Sequence, residues 1–486
     1  MRNLLLKNLL LISSAVLLAT VACQPDRPVS KFAGAENEVT IMNMNPGHFH
    51  AGLIHLHDYP QIDPKVYVYA PEGNELNSYL NMVNRFNTRA ENPTRWEPVV
   101  YTGDDYLERM LREKPGNVMV MAGNNSRKIE YVASAIENGI NVLSDKPMII
   151  TPVQFPRLRE ALESADEQGL VLNDMMTERH EITTILQKEL SHMPELFGEL
   201  IPGSPEQPAI EKESVHFFYK TVAGATLIRP PWFFDTTQQG EAIVDVSTHL
   251  VDKVLWQVFP GQPIDYRNPD HDVDVVEARI WPTPLTADQF ELITTVPGFP
   301  EYLQNRVENG VLQVNANGEF VFRVQGVYAK VGVLWGFTNP DGGDTHYSIM
   351  RGTKANLVVR QDLEQDFKAT LYVEPLGQEG NETGSASGHG QGGPAAREAG
   401  PEHFEAILND ALASLSERYP GLSAHQTQFG WEISVPEEYV ETHEEHFTRV
   451  TERFLDALIE GRIPEWERRN LETKYYLTTR AYEMSR

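Results

Sequence analysis

The chain has 486 residues, with 41 Lys+Arg against 69 Asp+Glu and a formal net charge of −28. A surface that acidic argues against nucleic-acid or anionic-membrane partners and for a soluble, self-repelling protein. Hydrophobic residues at 41% and aromatics at 9% exclude disorder of the whole chain and supply cores for two or three domains.

Arg2 and Lys7 precede a short apolar run, Asn8 to Ala22, that reads as a signal peptide over residues 1–22. The run is short for a membrane span. It closes on Ala19-Thr-Val-Ala-Cys23, which resembles a bacterial lipobox and implies lipidation of Cys23. Residues 23–36 then form a lipidated polar tether, and the protein faces the periplasm or exterior with the membrane touched only through that anchor. Cys23 is the single cysteine, so neither an internal disulfide nor a thiolate metal site is expected.

Over residues 37–175 short apolar runs alternate with helical stretches. Strands are expected at Val39–Met44, Val66–Tyr69, Pro98–Tyr101, Val118–Met121, Asn141–Ser144 and Leu170–Leu172. Helices are clearest at Asp105–Glu113, Arg127–Asn138 and Pro156–Gln168, with Gly139 and Gly169 as stops. This order implies a doubly wound parallel sheet that binds ligands at the carboxyl ends of its strands. The first strand runs into Asn45-Pro-Gly-His-Phe-His-Ala-Gly52, where a dinucleotide fold carries G-x-G-x-x-G. Only Gly47 keeps its place; Asn45, which tolerates a left-handed backbone, and His50 hold the outer positions. Backbone donors at this helix start would face a pyrophosphate. His48 and His50 are either packed or functional, and Glu72 is the nearby acid for an adenosine ribose.

Asp174, Thr177, Glu178, Arg179 and His180 follow the sixth strand, either facing substrate or capping a helix. Residues 176–375 read as an α+β domain with an antiparallel sheet, from strands at Val215–Tyr219, Val273–Trp281, Glu319–Val331, Val333–Phe337, His346–Met350, Ala355–Arg360 and Ala369–Val373. Arg229-Pro-Pro-Trp-Phe-Phe-Asp235 is either a proline-held hinge or a sugar contact, with Trp232 stacking on a pyranose and Arg229 and Asp235 binding hydroxyls. In Gly240–Asp252, a helix would set Asp245 and His249 on one face, one turn apart. Such a carboxylate either orients an acid–base imidazole or merely caps a buried one. Residues 376–401 are a Gly-rich insertion, and residues 402–486 a helical extension whose Phe404–Leu412 and Phe447–Leu458 stripes dock on the core. The histidines form no recognised metal-ligand spacing, so no metal site is expected.

Leu143-Ser-Asp-Lys-Pro-Met148, after the helix and strand of Ala133–Leu143, resembles the acid-Lys-Pro triplet of the glucose–fructose oxidoreductase, inositol dehydrogenase and rhizopine-catabolism (Gfo/Idh/MocA) family. Asp245-x-x-x-His249 resembles that family's second-domain motif, and the likeness covers most of Val39–Val373. The segment from Trp466 to Tyr482 looks like the C-terminal extension of lipoprotein members. The resemblance implies a Rossmann-like domain, then a domain with an open antiparallel sheet, and bound NAD or NADP. It places Asn45, Gly47, His48, Phe49, His50, Glu72, Asn124, Asn125, Asp145, Lys146 and Pro147 about the cofactor. It assigns base and oxyanion-donor roles to Lys146 and His249, in an order left open, with Asp245 orienting His249. Arg179, His180, Arg229, Trp232 and Asp235 would bind a small carbohydrate. Two of the three family glycines are replaced, and export calls for a tightly held cofactor. The function expected is oxidation of a sugar or glycoside hydroxyl by a homo-oligomer. The alternatives are a redox-neutral, nicotinamide-dependent glycoside-cleaving enzyme and a non-catalytic carbohydrate-binding lipoprotein.

Overall fold

Strands buried on both faces explain the first layer. In the computed structural model, which describes residues 32–222, 225–376 and 401–486, Ile41–Met44 (β1), Val118–Met121 (β4) and Asn141–Ser144 (β5) are buried at every position. With Lys65–Tyr69 (β2), Glu97–Tyr101 (β3) and Leu172–Asp174 (β6) they form a parallel sheet in the order β3-β2-β1-β4-β5-β6. Alternate residues serve two cores: Ile41, Val118 and Val120 point to one, and Met42, Met44, Met119 and Met121 to the other. The helices between strands are His50–Leu53 (α1), Asn74–Thr88 (α2), Tyr106–Glu113 (α3), Lys128–Glu137 (α4) and Phe155–Gln168 (α5). Gly169 caps α5 at φ +67°, as its position after an amphipathic run requires. The sixth strand lies two residues later than its apolar run, which brings Asp174 to the strand's end. The expected signal peptide, Cys23, most of the tether and the interior of the Gly-rich insertion lie outside the described residues.

The second layer is a mixed ten-stranded sheet. Ile182–Ser191 (α6), Ile210–Phe217 (β7), the small pair Thr221–Val222 (β8) and Ala225–Thr226 (β9), and Ser247–Val258 (α7) come first. Asp274–Thr286 (β10), Ala287–Thr294 (α8), Val307–Glu308 (β11), Val311–Val324 (β12), Val327–Gly336 (β13), Thr345–Arg351 (β14), Ala355–Gln361 (β15) and Thr370–Pro375 (β16) follow. Pairing is antiparallel except where β7 lies parallel to β13. The expected strand Glu319–Val331 is instead cut by a hairpin turn at Gln325 and Gly326, with φ of +50° and +79°. Two successive left-handed residues make the two-residue turn that suits strand twist, whereas Gly332 sits inside β13.

The C-terminal extension is not wholly helical. After Pro401–Ser414 (α9), Ser423–Thr427 (β17) and Gly430–Ser434 (β18) form a hairpin that pairs onto β16 through Val373 and Trp431. His443–Glu460 (α10) then buries Phe447, Val450, Phe454 and Leu458 in the core beside β1 and β2. Each such side chain contributes roughly 1.5–3 kcal/mol. Glu465–Met484 (α11) sends Leu471 and Tyr475 into the opposite core of the first sheet and Leu477 and Ala481 into that of the second. The last helix is thus a wedge shared by both layers. Among the described residues, no helix is long and apolar enough to cross a membrane.

Candidate active site

A cavity of about 890 Å³ lies between the carboxyl end of the parallel sheet and a polar face of the mixed one. Lys146, just beyond β5, reaches into it and donates from Nζ to Asp245 Oδ1 at 2.8 Å. The two side chains are only 9% and 10% exposed, so each charge depends on the other for compensation. Asp245 Oδ2 accepts from Gln239 Nε2 at 3.0 Å. Both oxygens are therefore engaged, and no hydrogen bond among the described residues joins Asp245 to His249. The expected orienting role fails for a local reason. Residues before α7 run as tight turns, and His249 N donates to Val246 O at 3.0 Å rather than to Asp245. His249 itself lines the cavity, buried, with its Nδ1 lacking a hydrogen-bond partner among the described residues. Burial, aided by the nearby Lys146, holds its pKa well below the ordinary value, so it is neutral at neutral pH.

At the turn after β1, Asn45 does adopt the left-handed backbone, at φ +47°. The expected pyrophosphate donors, however, are spent: the amides of Gly47 and His48 both donate to Ala122 O at 3.1 Å. A Cβ on Gly123 would fall 2.3 Å from Asn45 O, so only glycine lets the loops after β1 and β4 close this tightly. Trp232 covers the same turn, 3.5 Å from a Cβ built on Gly47, and donates from Nε1 to Glu75 Oε1 at 3.2 Å. It closes the turn instead of lining the cavity. Glu72 is exposed, accepting from Thr102 Oγ1 at 3.3 Å. The cavity end suits a nicotinamide: Phe49, Gly123, Asn125, Asp145 and Lys146 all line it.

His48 and His50 also line the cavity, and they meet Asp145, 95 residues on from His50. His50 Nδ1 lies 3.1 Å from Asp145 Oδ1 and His48 Nδ1 3.6 Å from Oδ2. Burial pushes the Asp145 carboxyl up, but His50 and Lys128 outweigh it and hold it well below the ordinary range. One donor atom from each of the three residues lies within 4.8 Å of the others, a grouping that the histidine spacing did not lead one to expect. Spacing could not show it, because the third member comes from a different strand end.

Other expected residues divide. Asn125 binds Gln239 O at 2.7 Å at the cavity wall, whereas Asn124 is turned to Gln238 Oε1 at 2.8 Å and stays outside it. Pro147, after a cis peptide bond, is buried behind Lys146. Arg229 lines the cavity but is spent on the Phe218 and Phe217 carbonyls and the faces of Phe233 and Trp335. Asp235 caps its own turn through Thr237 and Gln238. Arg179 is buried against Asp252 and Glu467, and His180 packs beside it toward α10, so neither reaches the cavity. The polar wall of the cavity comes instead from Glu178, which accepts from Lys253 at 3.1 Å, and from Lys212, Ser214, His216, His346 and Ser348 on β7 and β14. A period-two signal marked them: Lys212, Ser214 and His216 alternate along β7 and put polar groups where a strand normally buries apolar ones.

Buried neutral histidines also set the acid stability. His55 is fully buried, its Nε2 lies 2.9 Å from the Tyr79 hydroxyl, and burial depresses its pKa to about 3. Its folded pKa is below its unfolded one, so the unfolded chain binds the proton first and stability falls as pH drops below about 6.5. A loss of about 1.4 kcal/mol per pH unit from this residue is expected between pH 6 and 5. Denaturant melts of wild type and His55→Gln across that range check it; parallel pH slopes would refute it.

A two-layer oxidoreductase architecture, with a lysine and a histidine facing one interlayer cavity, is what the fold and site define. The family described as "Putative oxidoreductase C terminal domain" matches residues 186–387 and 395–486. The crystal structure of a "putative oxidoreductase from Parabacteroides merdae ATCC 43184" is 46% identical, with a TM-score of 0.86, covering 94% of this chain and 99% of its own. The chain belongs to this oxidoreductase family, of the Gfo/Idh/MocA type. Levoglucosan dehydrogenase in complex with NADH and levoglucosan (12% identity, TM-score 0.55, 92% and 97% covered) shares the fold. So does GenD2 from gentamicin A biosynthesis in complex with NAD (15%, TM-score 0.52, 92% and 94%). No curated protein matches the chain.

Proposed function

We propose that the chain is an NAD(P)-dependent oxidoreductase that oxidises a hydroxyl of a sugar or glycoside and retains its cofactor between turnovers. The observation that carries this is the meeting of Lys146, from the end of β5, with the unpartnered Nδ1 of His249, from α7, at one buried cavity. The nicotinamide, when bound, supplies the hydride acceptor. Neutral His249 has the free ring nitrogen that takes the hydroxyl proton, and Lys146, ion-paired with Asp245, steadies the oxyanion. Glu178, Lys253, His346 and Ser348 supply the polar contacts a hydroxyl-rich ligand needs. The sugar reading draws support from levoglucosan dehydrogenase sharing the fold. Retention draws support from the proposed envelope location, where a dinucleotide once lost is not readily replaced. The proposed location is the cell envelope, supported by the lipobox-like Ala19–Cys23.

Mass spectrometry of small molecules released on denaturing the purified protein should find NAD(H) or NADP(H) near one equivalent. Protein that carries none, and binds none when it is added, would sink this reading in favour of a carbohydrate-binding lipoprotein.

A further inference from the structure

We infer that His48, His50 and Asp145 form a site for a divalent first-row transition-metal ion, open to the same cavity as Lys146. The donor atoms lie within 4.8 Å of one another, and the two measured approaches to the carboxylate are 3.1 and 3.6 Å. An ion bonded at about 2.1 Å separates neighbouring tetrahedral or octahedral ligands by about 3.0–3.4 Å, so small side-chain adjustments complete the set.

The contacts point the same way. His48 Nδ1 lies 3.4 Å from the His50 amide nitrogen and 3.6 Å from Asp145 Oδ2, which leaves a place for a cation between ring and carboxylate. The neighbouring cations do not fill that role. Lys146 is turned to Asp245 at 2.8 Å, and Lys128 donates to the Asp145 main-chain carbonyl at 3.0 Å.

The donors are also held in place before any ion arrives. Asp145 N is bonded to Met121 O at 2.7 Å, and the His50 ring packs on Phe447 with centroids 4.6 Å apart. Two imidazoles and one carboxylate suit Zn²⁺, Fe²⁺, Co²⁺ or Mn²⁺ better than Ca²⁺ or Mg²⁺. Because all three residues line the cavity, the remaining coordination positions face it and take hydroxyl or carbonyl oxygens of a sugar. An ion there polarises such an oxygen beside Lys146.

The site stands independently of the dinucleotide, and the two are measured separately. Full-length protein is stripped with chelator, checked by circular dichroism and melting, and titrated with Co²⁺. One equivalent should bind with visible ligand-field absorption, and Zn²⁺ should displace it. His48→Gln, His50→Gln and Asp145→Asn should each weaken binding by more than the roughly 10–100-fold that loss of a merely supporting group costs. His403→Gln, exposed on α9 and absent from the cavity wall, should leave it unchanged. His48 is 18% exposed, so His48→Gln keeps the test usable if the more buried variants fail to fold. Folded, stripped protein that binds no stoichiometric Co²⁺, or binding that survives both histidine substitutions, overturns the site. Either result can occur with or without bound dinucleotide.

Discussion

Lys146→Met should lower kcat for sugar oxidation by about 10²–10⁴-fold, the range that a positioned proton-transfer or oxyanion group contributes. The loss should fall on kcat more than on KM, because the lysine's contact with the substrate oxygen strengthens only as charge develops there. Lys146→Arg should not restore activity, since a planar guanidinium cannot reproduce a point cation held 2.8 Å from Asp245. The substitution leaves Asp245 buried with Gln239 as its remaining partner, so a stability cost accompanies the catalytic one. The double variant Lys146→Met/Asp245→Asn separates them, because it should regain stability without regaining turnover. Rates across a panel of sugars and glycosides, with melting curves for each variant, supply the test. A folded Lys146→Met enzyme within tenfold of wild type would remove Lys146 from the chemistry.

How far the sequence anticipated this site follows from which physical signals are local. β4 and β5 were legible to the residue because strands buried on both faces read as continuous apolar runs. Asn45 was legible as a left-handed substitute for glycine. Asp245 and His249 were legible as a pair but not in their relation. Helical periodicity continues through Gly240–Val246, although the backbone there turns too tightly to be α-helix, and that places Asp245 on Lys146 instead. Trp232, Arg179 and Asp235 carried the right chemistry for a sugar site. Their partners, Glu75, Asp252 and Gln238, lie in other elements or in a turn whose geometry spacing does not reveal. The cluster of His48, His50 and Asp145 was hidden for the same reason. The C-terminal hairpin was masked by the strong helical stripes on either side of it.

Lys474→Met should cost about 3–5 kcal/mol of stability, the penalty for breaking a buried ion pair by removing one partner. Lys474 is fully buried on α11, with Nζ 2.9 Å from carboxylate oxygens of both Asp174 and Asp252. Asp252 remains compensated by Arg179, which binds it through two guanidinium nitrogens. Asp174 keeps only neutral partners, chiefly the Tyr475 hydroxyl at 3.0 Å. Burial already raises the Asp174 pKa with Lys474 present, so without the lysine that carboxyl takes up a proton more readily still. A carboxyl whose folded pKa is raised costs stability only once it ionises, at higher pH. The penalty of Lys474→Met should therefore shrink from pH 8 toward pH 5, and Asp174→Asn in the same chain should recover part of it at pH 8. Because Asp252 lies three residues beyond His249 on α7, the variant should also lose activity through misplacement of that helix. Denaturant melts at both pH values decide the matter. A penalty under about 1 kcal/mol, or one that grows as pH falls, would show that α11 joins the two layers by apolar packing and not through this network.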